Sequence, residues 1–437
     1  MTRIIAAAVL ALCAAFPARA AIDIQEVTTP GGFTAWLVEE RSIPFVALEL
    51  RFRGGASLDA ADKRGAIHLM NGLLEEGAGD LDAQGFSVAL EELAAEFSFD
   101  VADDQLAISA KFLTENREEA LALLRSVLLE PRFDPAAIER VRGQVLANIA
   151  SAMKDPDDIS MDAFDRIAFP GHPYGSAYEG TPESVTALTR DDLIAAKDRV
   201  MTRDRVYISA VGDIGADELG PLLDDLLSDL PEEGAPFPDP AGFNAPGGVT
   251  VVDFDTPQSV VTFGQAGVGR EDEDFFPAFI LTQIIGGGGF NSRLMEEVRR
   301  NRGLTYGIYA GIYAMEYTDM ILGRVSTVND RVAETVAVVR EEWEKVAEDG
   351  VTPEELDRAI TYLTGAYPLR FDGNERIANI LVGMQMDGYG IDYPLTRNDR
   401  IRAVTLEDVR RVAAERISPD DLVFVVVGEP EGLEASN

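Results

Sequence analysis

Two segments of this chain occur twice, and the repetition limits the folds that the chain can adopt. The segment RVYISAVGD (205–213) is similar in pattern to LVFVVVGE (422–429), and TRDDLIAAKDRV (189–200) is similar in pattern to TLEDVRRVAAERI (405–417). In each pair the copies lie about 216 residues apart, and 437 residues are enough for two cores of roughly 200 residues each. The sequence therefore predicts two copies of one domain.

A change in composition separates the two predicted copies. The segment 231–248 contains five prolines and four glycines in eighteen residues, which is typical of an extended linker. The predicted division is a signal segment at 1–20, a first domain at 21–230, the linker, and a second domain at 249–437.

Hydrophobic periodicity predicts both strands and helices within a copy. In the first copy, alternating or apolar runs predict strands at 34–40, 45–52, 105–112 and 205–213. Helical spacing predicts helices at 64–76, 82–95, 115–129 and 135–152. Proline opens a predicted helix in both copies, after Asp134 and after Thr352. This mixed order predicts an α+β fold, with helices flanking a mixed sheet in each of two homologous α/β domains.

Residues 1–20 have the pattern of a bacterial export signal. Arg3 precedes the almost wholly apolar run 4–16, and Ala18 and Ala20 form an AxA-type cleavage site. The apolar run is too short to span a bilayer. We therefore expect an exported, periplasmic protein. Cleavage would remove the one cysteine, Cys13, so we expect a mature chain without thiols.

The charge of the chain argues against two classes of partner. Acidic residues outnumber basic ones by 76 to 38, which gives a net charge of -38. Such a charge argues against nucleic acid and against an anionic membrane surface as partners. It favours solubility, and it would attract cationic peptides.

The stretch 286–310 predicts a glycine-rich turn, a helix, a tight stop and a strand. Asn291 and Ser292 are residues that cap helix N-termini, and Gly303 can take the left-handed closing position. Helical spacing predicts one buried stripe, formed by Phe290, Leu294, Met295 and Val298. The strand stripe predicted after the stop is Tyr306, Ile308, Ala310 and Ile312. Arg299 and Tyr306 should therefore lie beside the same turn.

The run SRLMEEVRRNRGLTY, 292–306, resembles a stretch of the pitrilysin/insulinase family of zinc peptidases. In that family an arginine and a tyrosine seven positions apart hydrogen-bond the substrate near the scissile carbonyl. The resemblance implies this role for Arg299 and Tyr306, as donors that stabilise an oxyanion. The residues alone leave an alternative open, in which Arg299 pairs with Glu296 and Tyr306 packs in the sheet.

The run KRGAIHLMNGLLEEGAGD, 63–80, is similar to the metal-binding helix of the same family. That helix carries HxxEH, with two zinc-binding histidines and a glutamate as general base; a glutamate about 76 residues further on completes the ligand set. Here the three motif positions hold His68, Asn71 and Gly72, and the later position is Asn148. One histidine and two asparagines cannot replace three ligands and a base, so we expect no metal bound by this chain.

The resemblance implies a subunit type. Some family peptidases are heterodimers in which one subunit carries HxxEH and the other supplies the arginine and tyrosine. This chain is similar to the second type and to mitochondrial-processing-peptidase-like subunits. It would lend Arg299 and Tyr306 to a chamber shared with a homologous, HxxEH-bearing partner that holds the zinc, and the substrates would be peptides.

Two alternatives remain. The first is a homodimer that binds peptides without cutting them, and the second is a structural subunit similar to the core proteins of respiratory complexes. We expect His172 to be structural, and Asp155, Asp157 and Asp158 to form a solvated turn rather than a calcium site. We expect Trp36 and Trp343 to lie in or near the core.

Overall fold

The computed structural model describes residues 22–287 and 289–436. The predicted signal segment 1–20, with Cys13, lies outside the described residues. The first half contains the strands β1 (Gln25–Thr28), β2 (Thr34–Glu39), β3 (Phe45–Arg53), β4 (Gly77–Ala78), β5 (Leu81–Asp82), β6 (Glu96–Val101), β7 (Gln105–Leu113) and β8 (Val206–Gly212). β4 and β5 form a separate hairpin, and the other six form a sheet in the order β1-β2-β8-β3-β7-β6.

The helices of the first half form one core with this sheet. They are α1 (Ala66–Asn71), α2 (Ala83–Leu93), α3 (Arg117–Leu129), α4 (Pro135–Ala152), α5 (Pro156–Ala168), α6 (Pro182–Ala187), α7 (Arg190–Val200) and α8 (Ala216–Leu227). Apart from α5, they contribute apolar side chains to a core that includes Leu50, Phe52 and Ile108 of the sheet. Short 3₁₀ turns lie at Ala56–Leu58, Thr114–Asn116, Pro173–Gly175 and Arg203–Arg205.

The second half repeats the plan of the first. Its strands are β9 (Gly248–Asp253), β10 (Gln258–Ala266), β11 (Ile308–Ala314), β12 (Asp319–Val328) and β13 (Val423–Gly428). Their order, β11-β12-β10-β13-β9, matches β6-β7-β3-β8-β2 of the first sheet strand for strand. Each sheet is mixed, because β2 with β8 and β9 with β13 are parallel pairs. The prediction of two homologous α/β domains is confirmed.

Six α-helices and two π-helical segments belong to the second half. The helices are α9 (Phe275–Thr282), α10 (Val332–Asp349), α11 (Pro353–Ala366), α12 (Asn374–Met386), α13 (Tyr393–Ala403) and α14 (Leu406–Arg416). The π-helical segments are Gln283–Gly287 and Met295–Asn301, and 3₁₀ turns lie at Gly289–Asn291, Asn329–Arg331 and Tyr367–Arg370. Residues 231–247, between the two sheets, contain neither helix nor strand.

One helix of each half packs on the sheet of the other half. α5 of the first half packs on β10 and β13 of the second sheet, whereas α12 of the second half packs on β3 and β8 of the first. Hydrogen bonds also join each of these helices to the sheet on which it packs. Ser160 of α5 bonds Thr262 of β10 between hydroxyl oxygens at 2.8 Å, and Ser209 Oγ of β8 donates to the carbonyl of Ala378 at 2.6 Å. The two halves are therefore joined through buried helix faces rather than only through the linker.

The repeated segments have the same local structure in both halves. Thr189 and Thr405 each cap the following helix in a capping box, with Asp192 and Asp408 as the reciprocal partners. Both helices precede a central strand, β8 or β13. Both tryptophans are buried, Trp36 at 4% and Trp343 at 0% exposure, as predicted. No helix in the described part of the chain is long and apolar enough to cross a membrane.

Two of the local structures predicted in the first half differ from the observed ones. The helix predicted at 64–76 ends at Asn71, because the chain turns through 72–75 and enters β4 at Gly77, whose φ of 111° a larger residue rarely adopts. Asp155, Asp157 and Asp158 are accessible to solvent as predicted, but they belong to the start of α5 rather than to a turn. The Asp155 carboxylate accepts a hydrogen bond from Asp157 N at 2.8 Å and caps this helix.

Candidate functional site

The first candidate region is α1, where the family carries its zinc motif. His68 is half-buried, and its ring meets the ring of Tyr178 edge-on, with centroids 5.4 Å apart. Burial lowers the pKa of His68, while the charge of Glu179 acts in the opposite direction. Its Nδ1 has no hydrogen-bond partner among the described residues. Burial therefore favours the neutral form of the imidazole.

The other two motif positions of α1 have structural contacts of their own. Asn71 is 7% exposed, and its Nδ2 donates to the carbonyl of Phe99 on β6 at 2.9 Å. Gly72 ends the helix, and a Cβ built there would lie 3.1 Å from Val141 Cγ1 of α4. The Cβ of a histidine at position 72 would therefore press on the Val141 side chain. Asn71, at the position of the general base, instead forms a hydrogen bond that links α1 to β6.

The position predicted for the third ligand, Asn148, lies on α4. Asn148 is exposed, two turns beyond Val141, and it makes no side-chain hydrogen bond within the described ranges. Residues 22–287 and 289–436 contain no group of three His, Cys, Asp or Glu side chains placed to hold a metal ion. A zinc site needs about three protein donors, so the residues at His68, Asn71, Gly72 and Asn148 do not fit zinc.

The second candidate region is the turn after the helix Met295–Asn301. Leu294, Met295 and Val298 are buried as predicted, at 0%, 7% and 0% exposure. Gly303 takes the predicted left-handed conformation with φ of 61°, and the amide of Leu304 donates to Val298 O at 2.9 Å. The N-terminal prediction was only partly right, because Ser292 Oγ accepts from Met295 N at 3.4 Å whereas Asn291 lies within a 3₁₀ turn.

Phe290 departs from the predicted buried stripe, and the departure concerns Arg299. Phe290 is 64% exposed, and the guanidinium carbon of Arg299 lies 4.6 Å from the centre of its ring. A guanidinium at this distance forms a cation–π contact, which holds the arginine at the end of the helix without neutralising its charge. The prediction that Phe290 packs inward was wrong because the 3₁₀ turn before Ser292 breaks the helical register.

Tyr306 also departs from its predicted place. The strand β11 begins at Ile308, and Tyr306 lies before it with 89% of its surface exposed. The alternative in which Arg299 pairs with Glu296 is not what the structure shows, since Arg300 makes that contact at 4.0 Å. Within the described ranges, Arg299 and Tyr306 make no side-chain hydrogen bond or ion pair, so the fold leaves both donors available beside one turn.

A polar junction between the halves contains Asp104, Tyr174, Glu316 and Tyr317, none of which was predicted as a site residue. Tyr174 Oη donates to Asp104 Oδ1 at 2.5 Å and accepts from Tyr317 N at 3.2 Å, while Glu316 N donates to Asp104 Oδ2 at 3.0 Å. Burial, more than any nearby charge, raises the pKa of Asp104 to about 7. His172 Nδ1 accepts from Tyr174 N at 3.2 Å, so this histidine supports the junction.

The chain matches two descriptions of one peptidase family, in succession. Residues 35–182 match Insulinase (Peptidase family M16), and residues 187–363 match the Peptidase M16 inactive domain. The chain therefore belongs to peptidase family M16, the pitrilysin/insulinase family, and it is a member that lacks an intact HxxEH motif.

Curated relatives of this chain carry different descriptions. It is 28% identical over 390 residues to a Helicobacter pylori protein named non-peptidase homolog YmxG. The alignment covers 89% of this chain and 90% of the Helicobacter pylori protein. It is 27% identical over 405 residues to a Mycobacterium tuberculosis protein named uncharacterized zinc protease Rv2782c, covering 91% and 92%. A Schizosaccharomyces pombe protein named probable mitochondrial-processing peptidase subunit beta is 24% identical over 405 residues, covering 87% and 85%.

A solved structure supports the same assignment. The crystal structure of a peptidase M16 inactive domain from Pseudomonas fluorescens superposes with a TM-score of 0.87 at 27% sequence identity. The match covers 95% of this chain and all of that one. The chain is thus similar both to a family member described as inactive and to one named as a non-peptidase.

Proposed function

We propose that this chain is the zinc-less subunit of a heterodimeric metallopeptidase. Its partner is a homologous subunit with HxxEH that holds the zinc, and the two subunits enclose a chamber for peptide hydrolysis. The observation that carries the proposal is a contrast within one chain. One histidine is left of the zinc-binding set, which is too few to hold the metal, whereas Tyr306 is 89% exposed and the half-buried Arg299 makes no hydrogen bond or ion pair among the described residues.

Arg299 and Tyr306 would act on the peptide bond that the partner's zinc site cleaves. A phenolic hydroxyl and a guanidinium are hydrogen-bond donors, and they can bind the peptide backbone near the scissile carbonyl and stabilise the negative charge that develops there. The tyrosine is 89% exposed, so no described contact has to break before it reaches a substrate. The cation–π contact with Phe290 orients the guanidinium of Arg299.

Replacing Tyr306 tests this role. Tyr306→Phe removes one oxyanion donor and keeps the ring, so we expect turnover by the complex to fall on the order of 100-fold. The measurement is cleavage of a quenched fluorescent peptide by the mixed subunits. The matched control is Tyr362→Phe, a tyrosine of α11 that is 58% exposed, and it should leave turnover unchanged. Equal turnover and equal substrate affinity for Tyr306→Phe and wild type would rule out the role.

We further propose that the heterodimer works in the periplasm. The signal pattern at 1–20 supports export, and the charge of -38 supports solubility there and disfavours nucleic acid and anionic membranes as partners. Cell fractionation of the tagged full-length chain tests this location. Recovery in the cytoplasm with residues 1–20 still attached would contradict it.

A second candidate function is a homodimer that binds peptides or serves as a structural subunit. The similarity to a protein named non-peptidase homolog favours it. Light scattering of the purified chain distinguishes the two functions. A stable homodimer that does not exchange with any HxxEH-bearing homologue would favour the second.

A further inference from the structure

Arg397 of α13 is a buried arginine without a carboxylate beside it. It is 7% exposed, and it forms no ion pair within residues 22–287 and 289–436. The three other described arginines that are similarly buried each pair with a carboxylate: Arg51 with Glu49, Arg142 with Glu139 and Arg205 with Asp204. A buried charge without a counter-ion is costly, so the exception at Arg397 requires a physical reason.

The hydrogen bonds of Arg397 use one of its three nitrogens. Nη1 donates to Leu363 O at 3.3 Å and to Asn398 Oδ1 at 3.2 Å. Leu363 lies in the last turn of α11, where the helix dipole favours a cation. Among the described residues, no carbonyl or carboxylate accepts a hydrogen bond from Nε or Nη2. The bonds of Nη1 therefore anchor the side chain and leave the Nε–Nη2 edge without an anionic acceptor.

Aromatic rings surround the guanidinium of Arg397. Its Cζ lies 4.3 Å from the ring centre of Tyr367 and 5.7 Å from that of Phe279. Cation–π contacts orient the guanidinium but do not neutralise it. Burial lowers the pKa of Arg397, and the phenols of Tyr393 and Tyr367 act in the opposite direction. The neighbours that govern this charge are therefore phenols rather than carboxylates.

Tyr367 supplies a hydrogen-bond donor that has no acceptor. It is 5% exposed, and its Oη is buried without a partner among the described residues. Burial raises the pKa of Tyr367 to about 12, so the phenol keeps its proton at neutral pH. Buried hydroxyl groups in native proteins usually have a partner. Oη lies at the rim of the ring that Arg397 covers, so an acceptor at that rim can meet both donors.

Further along the same connection, a second buried donor is also unpaired. Asn374 begins α12 and is 9% exposed, and no described group accepts a hydrogen bond from its Nδ2. The stretch from Tyr367 to Asn374 therefore has more buried donors than acceptors.

The surface beside Arg397 carries further positive charge. Arg370 and Arg400 are exposed, and neither forms an ion pair in the described part of the chain. Cζ of Arg400 lies 5.7 Å from the ring centre of Tyr393, and the charge of Arg370 acts on Tyr367 and on Arg397. Three arginines without carboxylates are a local exception in a chain whose net charge is -38. Their field attracts small anions.

We name Tyr367, Arg370, Tyr393, Arg397 and Arg400 the arginine–tyrosine cluster. Its residues come from the 3₁₀ turn after α11 and from α13. Tyr367 and Tyr393 also belong to an apolar cluster with Trp36 and Val211 of the first sheet. The arginine–tyrosine cluster therefore lies where helices of the second half meet the first sheet, on elements other than α1 and the turn that carries Arg299.

The chemistry of the donors selects the class of anion. One buried guanidinium is neutralised by one negative charge, and the two oxygens of a carboxylate match the two parallel N–H groups of the Nε–Nη2 edge. A phosphate or sulfate dianion would bring a second charge among the aromatic rings, where the described residues offer no second buried cation. A chloride ion has the right charge but only one acceptor atom.

We propose that the arginine–tyrosine cluster binds a small monocarboxylate, whose oxygens accept hydrogen bonds from the Nε–Nη2 edge of Arg397 and from the hydroxyl of Tyr367. Arg370 and Arg400 attract the anion from solvent. The low exposure of Arg397 and Tyr367 limits the ligand to a small molecule. This inference goes beyond the proposed peptidase function and does not rest on it.

Ligand-observed NMR titration of the purified chain tests the proposal. The probes are acetate, propionate and benzoate, each compared with its amide, which has nearly the same shape but no charge. We expect at least one carboxylate to bind at least about tenfold more tightly than its amide. If no carboxylate bound more tightly than its amide, the proposal would be overturned. Displacement of the bound carboxylate by an equal concentration of sulfate would also overturn it.

Matched variants separate the cluster from diffuse attraction by arginines. Arg397→Gln should weaken binding of the preferred carboxylate at least about tenfold, and Tyr367→Phe, which keeps the ring, about threefold. The control is Arg402→Gln, which removes the same charge from the exposed end of α13 and should bind as wild type does. Equal losses for Arg397→Gln and Arg402→Gln would contradict the assignment.

Two further measurements keep the test decisive if Arg397→Gln does not fold. Arg397→Lys keeps the buried charge but loses the paired N–H edge, so we expect it to bind the carboxylate about fivefold more weakly. Wild-type affinity in Arg397→Lys would overturn the proposal. A saturating carboxylate should also raise the urea midpoint of the wild-type protein above its value in sodium chloride of equal ionic strength, and an unchanged midpoint would count against the site.

Discussion

At the scale of single residues, the contacts of α1 oppose metal binding at the positions of the zinc motif. Asn71 donates to Phe99 O at 2.9 Å, and the space beside Gly72 belongs to Val141. We therefore expect the double variant Asn71→Glu, Gly72→His to bind no stoichiometric zinc. The site would still lack a third ligand, and the Cβ of the new histidine would press on Val141. Isothermal titration with zinc is the measurement. Tight, one-to-one binding would show that the site is closer to intact than we describe.

At the scale of elements, the exchange of α5 and α12 should contribute much of the stability. Phe164 of α5 is fully buried against the second sheet, with Leu322 and Val425 in the same cluster. We expect Phe164→Ala to lower the free energy of unfolding by about 3–5 kcal/mol, because it leaves a cavity between the halves. Urea unfolding measures this loss of free energy. The control is Met153→Ala, because Met153 follows α4 and is 64% exposed. A loss as small as that of the control would mean that the halves are joined mainly elsewhere.

The elements also show how far the sequence predicts this fold. The two repeated segments predicted the duplicated domain, because capping threonines and apolar strand runs are local signals that survive in both copies. The exchanged helix α5 was not predicted, because Asp155, Asp157 and Asp158 were interpreted as a turn, although an aspartate followed by proline is also a helix-start signal. Only the folded chain brings α5 against β10 and β13 of the second sheet.

At the scale of the whole molecule, buried carboxyls make stability depend on pH. Burial raises the pKa of both Asp104 and Asp165 to about 7, well above the value of an unfolded chain. Folding then favours their protonated forms. Ionised Asp104 and Asp165 therefore lower the free energy of unfolding, fully above about pH 7 and progressively less as the pH falls. The pKa values of His68 and His172 are lowered, and their opposite contribution begins only below about pH 6.5.

We therefore expect the free energy of unfolding to be larger at about pH 6.5 than at about pH 8. Urea titrations at the two pH values measure this difference. The variant Asp104→Asn should reduce the difference, because it removes one of the two groups, whereas Asp357→Asn, on the exposed surface of α11, should leave it unchanged. Equal stability at both pH values in the wild-type protein would contradict the account of these carboxyls.

The central claim is that this chain completes a peptidase whose zinc lies in another subunit. The most direct measurement is cleavage of a quenched fluorescent peptide by this chain alone, by an HxxEH-bearing homologue alone, and by the two mixed, each with and without a chelator. We predict cleavage by the mixture, little or none by either subunit alone, and loss of activity with the chelator. Chelator-sensitive cleavage by this chain alone would contradict the claim, as would a mixture no more active than the homologue by itself.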